Sequence, residues 1–393
     1  MKKKLTQIAS LNIISAIINF GLNFFLARNF GNEFFGEFSL FNAKIALLGL
    51  IFIIIPSNYA VVKIQDDEKF KSVYFSFYIL GGIIFLFELI VSNRFHYIHL
   101  PVLTIFLFSY PTFFLNFFDC ALQADNKLNV FYVVLFFQVL VKTGTFFLAF
   151  ETGFINNLGD VVFSIGIGNF ISLIALFLFF RNKYFYRIKI IYAIKYIVSN
   201  LKYFKGYYLN NIIKSLADNF YIFMFNSILN KSQLGLFSLF IKAQSFSFSL
   251  FRTLEAFLMN RNNNKEYYTK IYVKKHFLAM ITVIMTFLVT IIYMYLLNYK
   301  FYFLESVVLG MGSILYIDLL MLRTQLILSY NNSSLNLSMI IEMITMFIVI
   351  TVIHHHFIQL SVLLCIFLVF FSSLLRVLVL RSIIKINRRE NYY

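Results

Sequence analysis

An all-α polytopic membrane protein, with twelve transmembrane helices in two parallel six-helix bundles, is what this sequence predicts, and three observations carry the prediction. The 393 residues are 60% hydrophobic and only 13% charged, with a mean hydropathy of +0.80, which excludes an ordinary soluble domain. Apolar stretches long enough to cross a bilayer recur from one end to the other. A six-residue pattern also occurs twice, Gly36-Glu-Phe-Ser-Leu-Phe41 and Gly235-Leu-Phe-Ser-Leu-Phe240, 199 residues apart.

The first apolar stretch, Leu5 to Ala27, holds 23 residues without Lys, Arg, Asp or Glu and follows Met-Lys-Lys-Lys. No small-residue cleavage motif comes after it, so it reads as a retained first helix. Further along, spans are expected at 7–27, 39–62, 72–93, 99–122, 128–150, 161–180, 206–229, 235–258, 277–298, 301–323, 336–353 and 358–380. The third, seventh and eighth are less uniformly apolar than the rest. Met343 to Leu375 again lacks those four residue types and is long enough for most of two helices, with His354-His355-His356 and Gln359 marking the break. Adjacent histidines at an outer turn without an acidic cluster point in different directions and make a poor metal site. Cys120 and Cys365 fall inside spans, where a thiol serves as a small apolar filler.

Charge sets the orientation. With the N-terminus in the cytoplasm, the inner segments carry 24 Lys and Arg residues and the outer segments four: Arg28, Arg94, Lys231 and Lys300. That asymmetry follows the positive-inside rule and supports both this orientation and an even number of spans. The net charge of +17 is therefore an orientation signal that favours anionic inner-leaflet lipids and calls for no nucleic-acid partner. Outer connections are too short for a catalytic loop. The longest inner connection runs from Arg181 to Lys205, and its core, Ile188 to Ile197, mixes lysines with apolar residues in the manner of an interfacial helix. The expected organisation is an N-terminal bundle over 1–180, a cytoplasmic linker over 181–205 and a C-terminal bundle over 206–393.

Both copies of the repeated pattern fall in outer connections, before the second and the eighth span. Six spans separate them, so the halves share orientation and are expected to be parallel repeats about an axis along the membrane normal. Each copy reads as a tight turn at glycine with phenylalanine at the interface.

Ionisable residues at bilayer depth are functional candidates. Lys44, Lys142 and Lys242 lie at similar depth, roughly 10 Å from the outer ends of their spans. Lys214 lies near the inner end of the seventh span, with Asp218 one turn further on the same face. Lysines facing one cavity would form a cationic lumen suited to a phosphate or another anion; snorkelling to headgroups and, for Lys214, an i,i+4 pair with Asp218 are the structural alternatives. Glu342 is the deepest isolated acid and a candidate for ion coupling. Arg376 lies near the inner end of the last span, where interface anchoring or local pairing accounts for it as well as function does. Pro56 and Pro111 sit inside spans, and the Ser109 and Tyr110 side chains are placed to satisfy carbonyls freed by Pro111. No nucleotide-binding, zinc-protease or nucleophile-elbow motif occurs, so no cofactor, metal or catalytic residue is assigned.

The segment Phe25-Leu-Ala-Arg28-Asn-Phe-Gly31-Asn-Glu-Phe-Phe-Gly36-Glu-Phe-Ser39 resembles the first connection of the polysaccharide-biosynthesis (O-antigen and capsule repeat-unit) flippases of the multidrug/oligosaccharidyl-lipid/polysaccharide exporter superfamily. The stretch from Ala217-Asp218 to Gly235-Leu-Phe-Ser238 resembles that family's seventh span and the start of its second half. The resemblance implies an alternating-access carrier in the bacterial inner membrane, both termini cytoplasmic, moving undecaprenyl-diphosphate-linked oligosaccharides to the outer leaflet. It also implies a coupling ion (proton or sodium), with a glycan polymerase and a chain-length regulator as partners. Arg28, Gly31 and Gly36 match the turn motif, whereas the second repeat has Ser227 and Asn230 at the positions of Arg28 and Gly31. The alternatives are a small-molecule or drug/cation antiporter of the same superfamily and, more distantly, a membrane enzyme of glycan assembly.

Overall fold

In a computed structural model of the chain, residues 2–55, 57–67, 69–95, 97–125, 127–184, 189–258, 275–296, 303–328, 332–356 and 361–390 are described. Among them the chain is helical throughout: α1 (Lys2–Leu48), a 3-10 segment (Gly49–Ile53), α2 (Ser57–Asp66), α3 (Phe70–Arg94), α4 (Val102–Ala124), α5 (Leu128–Glu151), α6 (Leu158–Tyr184), α7 (Ile190–Asn226), α8 (Lys231–Leu258), α9 (Lys275–Leu296), α10 (Phe303–Leu328), α11 (Asn332–His356) and α12 (Val362–Glu390). Eight of these helical stretches are long and apolar enough to cross a membrane. One of them, Ser10–Phe52, is 43 residues long, about twice what a single crossing needs. Gly31, near its middle, has φ +84°, a conformation that breaks the helix and suits glycine. The protein is a multi-pass membrane protein.

The ends of the helices show why the chain breaks where it does. After α5, Gly153 adopts φ +69°, and the Gly153 and Phe154 amides bond to the carbonyls of Phe150 and Ala149, both at 3.0 Å, a left-handed cap that closes the helix. Before α6, the Asn157 side chain accepts from the Asp160 amide at 3.1 Å while the Asp160 carboxylate accepts from the Asn157 amide at 3.2 Å, a reciprocal box. Ser361 caps α12 through the Leu364 amide at 3.2 Å.

Two compact units emerge. One comprises Met1–Asn19 with Phe41–Ser215, the other Phe20–Leu40 with Leu216–Tyr393. In lipid, helices associate through packing and internal hydrogen bonds more than through water exclusion, and the first unit uses both. Gly166 on α6 sits against the Phe108 backbone of α4, and Gly168, two residues on, against the Lys142 backbone of α5. Between them Asn169 donates to the Phe108 carbonyl at 2.9 Å and accepts from Gln138 at 3.4 Å. Beside this junction lies an aromatic core that includes Phe52, Tyr74, Tyr78, Phe114 and Phe117, all at most 1% exposed. Its contacts include edge-on and stacked pairs, such as Tyr74 on Tyr78 at 5.1 Å and Phe52 on Phe113 at 4.9 Å, the geometries that ring quadrupoles favour.

Pro111 is inside α4 as expected, but the side chains beside it do other work. Tyr110 donates to the Tyr78 carbonyl at 3.4 Å, and the buried Ser109 hydroxyl has no partner among the described residues. The Phe108 carbonyl there accepts from Asn169 of α6 at 2.9 Å and from the Thr112 hydroxyl at 3.4 Å. Pro56 lies outside the described residues. Cys120 and Cys365 are both buried.

Candidate functional site

The repeated sequence pattern has a structural counterpart, and it differs from the expected turn. The turn of the first copy is made by Gly31. Gly36 and Gly235 lie inside helices, one turn or more beyond the break, and they pack on each other within the second unit. A Cβ on Gly36 would lie 3.0 Å from the Gly235 nitrogen and would overlap the Lys231 carbonyl; one on Gly235 would overlap the Asn32 carbonyl. The contact is reciprocal: residues 36 and 235 are 199 apart, and so are residues 32 and 231. Reciprocity of this kind is what a local two-fold between the copies generates. The Lys231 ammonium adds an ion pair with Glu37, and Glu37 holds Lys231 above its usual range, with a smaller contribution from Glu33.

The two copies solve the helix start differently. Where the first has Gly31, the second has Asn230. Its side chain accepts from the Gln233 amide at 2.8 Å, while the Gln233 side-chain carbonyl accepts from the Asn230 amide at 3.3 Å. A positive-φ glycine in one copy is thus matched by a capping box in the other. Arg28 is exposed.

The four lysines are placed as follows. Lys44 donates to the Tyr97 carbonyl at 2.6 Å and stands 4.8 Å over the Tyr97 ring. It therefore ties α1 to the α3–α4 connection, with a cation–π contribution. Lys142 is half-buried on α5, where its backbone meets Gly168. Both belong to the first unit, as does Lys214, which is exposed on α7; Lys242, exposed on α8, belongs to the second. Depth along a span predicts none of these surroundings, because depth does not fix rotation about the helix axis.

Glu342 is buried but not isolated, contrary to the sequence reading. Two helices, α7 and α12, converge on it where it stands on α11. Tyr221 of α7 donates to one carboxylate oxygen at 3.1 Å, and Arg376 of α12 lies 3.7 Å from the other. Ser372, one turn before Arg376, lies against both Tyr221 and Glu342 while donating to the Val369 carbonyl at 2.8 Å. Asp218, one turn before Tyr221, adds a second negative charge nearby. The Arg376 Nε and the Glu342 oxygen facing Arg376 are buried without a hydrogen-bond partner among the described residues, so the pair is closed by charge and only loosely by geometry. Sequence reasoning singles out Arg376 but not its pairing. The available signal is spacing: Asp218 and Tyr221 share one face of α7, and Ser372 and Arg376 share one face of α12.

Such an arrangement can hold one negative and one positive charge at depth, exchange either for an external ion, or move a proton among carboxylate, phenol and hydroxyl. Among the described residues no group of acids, histidines and cysteines is placed to hold a metal ion.

No protein-family model matches the chain, and no curated protein does. Solved structures do match. An inward-facing conformation of a multidrug resistance MATE family transporter of the MOP superfamily superposes with a TM-score of 0.61 at 12% identity, over 98% of this chain and 99% of that one. A MATE structure in complex with Br-NRF gives 0.59 at 12% identity, covering 96% and 94%. A Vibrio cholerae MATE transporter variant gives 0.50 at 11% identity, covering 98% and 97%. Over nearly all of its length, this chain has the fold of the solved MATE transporters.

Proposed function

We propose that the protein is a secondary transporter working by alternating access, with twelve spans arranged as two parallel six-helix bundles (1–180 and 206–393) joined by the 181–205 linker. The observation that carries the reading is the superposition on an inward-facing MATE transporter over nearly all of both chains. The reciprocal packing of Gly36 and Gly235 supports the repeat relationship. The Glu342–Arg376 pair, with Tyr221 and Asp218, is the candidate for coupling to a proton or sodium gradient.

One structural neighbour is described as a multidrug resistance transporter and another as a complex with Br-NRF, which favours antiport of an amphipathic small molecule as the substrate class. A second reading rests on the segment Phe25–Ser39 and its resemblance to the polysaccharide flippases: translocation of undecaprenyl-diphosphate-linked oligosaccharide, with Lys44, Lys142, Lys242 and Lys214 contributing positive charge to the path. In that case the polymerase and chain-length regulator would be its neighbours in an inner membrane. Neither reading involves a covalent step or a cofactor.

The test has two arms. Protein reconstituted in vesicles under an imposed proton or sodium gradient is given a fluorescent amphipathic cation, and uptake is compared with Glu342→Gln. Cells lacking the protein are assayed by leaflet-specific labelling of lipid-linked glycan and complemented with Lys142→Ala. Gradient-driven dye movement supports antiport; glycan trapped on the inner leaflet supports the flippase reading. Absence of both, with protein correctly inserted, would overturn the transporter assignment.

A further inference from the structure

The first turns of α7 present a surface that transport does not explain. Residues 193, 196, 197 and 200 face the protein. Ala193 is fully buried, the Tyr196 ring packs on Phe70 of α3 at 5.1 Å, and the Lys189 amide ahead of the helix donates to the Ser76 hydroxyl of α3 at 2.8 Å. That stripe, spaced at three and four residues, docks the helix on the inner end of α3. The opposite face carries Ile191 (74% exposed), Tyr192 (58%), Ile194 (43%) and Val198 (61%). A helix face turned to water does not collect four large apolar side chains in eight residues. Lys189 and Lys195, six positions apart, line one cavity of about 460 Å³, wide open at the helix surface, together with Ile190, Ile191 and Tyr192.

We propose that this face is a binding site for an anionic phospholipid of the inner leaflet, its phosphate held between Lys189 and Lys195 and its acyl chains lying along Ile191, Ile194 and Val198. Three observations select that occupant. Among the described residues, every charged side chain lining the cavity is a lysine. Apolar side chains adjoin the cavity on the same helix, as an amphipathic lipid requires and a soluble anion does not. Ser76 and Phe70, which anchor the helix, lie at the end of α3 that bears the inner-side cation Lys71, itself paired with Asp125 at 2.8 Å; positive charge on a membrane protein collects on the cytoplasmic side. Each lysine beside an anionic surface is expected to change affinity about fivefold, so both together account for about 25-fold. The inference rests on the membrane setting of the helix and is independent of what is carried.

The chain contains no tryptophan, so Tyr192→Trp installs a single reporter in the full-length protein. Reconstituted in phosphatidylcholine nanodiscs, the reporter is quenched by phosphatidylglycerol or phosphatidylcholine brominated on the acyl chains. Brominated phosphatidylglycerol is expected to quench at a mole fraction at least about tenfold lower than brominated phosphatidylcholine, and Lys189→Gln with Lys195→Gln is expected to erase that preference. A control reporter, Tyr295→Trp at a site 80% exposed at the far end of α9, keeps its own quenching in the lysine variant if the fold is intact. Equal quenching by both lipids overturns the proposal, as does the absence of quenching. Relief of quenching by millimolar glycerol phosphate also overturns it, since the site would then read a soluble anion. Because the measurement involves no transport, its failure leaves the transporter reading untouched, and a failed transport assay leaves the lipid site untouched.

Discussion

Replacing Gly235 with alanine should destabilise the protein, although the same change in an unobstructed helix stabilises it. The added Cβ at this position would fall 2.6 Å from the Asn32 carbonyl carbon and 3.1 Å from its Cα. Backbone on backbone cannot rotate away, so α1 and α8 must separate by a distance on the order of 1 Å to restore ordinary contact. Overpacking of this kind costs about 1–3 kcal/mol. Helix propensity returns about 1 kcal/mol, leaving a net loss of up to about 2 kcal/mol. At Gly144 on α5 and Gly21 on α1 an added methyl group would meet nothing within 4 Å, and alanine at either should be neutral or stabilising by up to about 1 kcal/mol. The assay uses the two buried thiols: a thiol-reactive fluorogenic dye reports unfolding during a heating ramp as Cys120 and Cys365 become exposed. Since Cys365 packs with Phe237 and Leu236 just beyond Gly235, a Cys120→Ser background reads the second unit by itself. The expected order of Tm is Gly235→Ala below parent, and parent at or below Gly21→Ala, the control that lies in the same unit. Gly235→Ala melting at or above Gly21→Ala would refute the close approach.

Arg376→Met should cost about 3–5 kcal/mol by leaving the Glu342 carboxylate buried and unpaired, and adding Glu342→Met should recover much of the loss; the same thiol assay separates the two. The Lys231 ammonium is held above its usual range by Glu37, so the pair is intact at and below the ordinary lysine pKa and is lost as pH rises through the raised value. Lys231→Gln should therefore melt lower than the parent near neutral pH, more so in low salt, and converge with it only in strongly alkaline buffer. Asn230→Ala should lower stability by about 1 kcal/mol through loss of the capping box, while Asn230→Gly costs only about a few tenths, measured as a Tm difference between the two variants.

The apolar runs make the helices readable from sequence, because crossing a bilayer demands long uninterrupted stretches. Helix rotation is not readable in the same way, and the site depends on it. Lys44 has the expected depth, yet its partner is the Tyr97 carbonyl, fixed by how α1 turns towards the α3–α4 connection. Glu342 looks solitary in the sequence because Arg376 is 34 positions away, and only the packing of α11 on α12 brings the two together. Gly36 and Gly235 stand out as a pattern but are not the turns that the pattern suggests: the positive φ belongs to Gly31, and the repeated glycines serve close approach. Among the 53 phenylalanines, composition does not separate the rings of the first unit's core from those facing outward.

The second unit takes Phe20–Leu40 from near the start of the chain and everything else from Leu216 onward. During synthesis, the helix face around Gly36 emerges early and waits uncovered until α8, 199 residues later, has been made. Closing that contact bridges about half the chain, a non-local step of the sort that slows assembly. A fragment beginning after the linker would carry α8 with Gly235 bare and no segment to fill against it. Two separately expressed halves should therefore be stable only together, with the first supplying a piece of the second's interior.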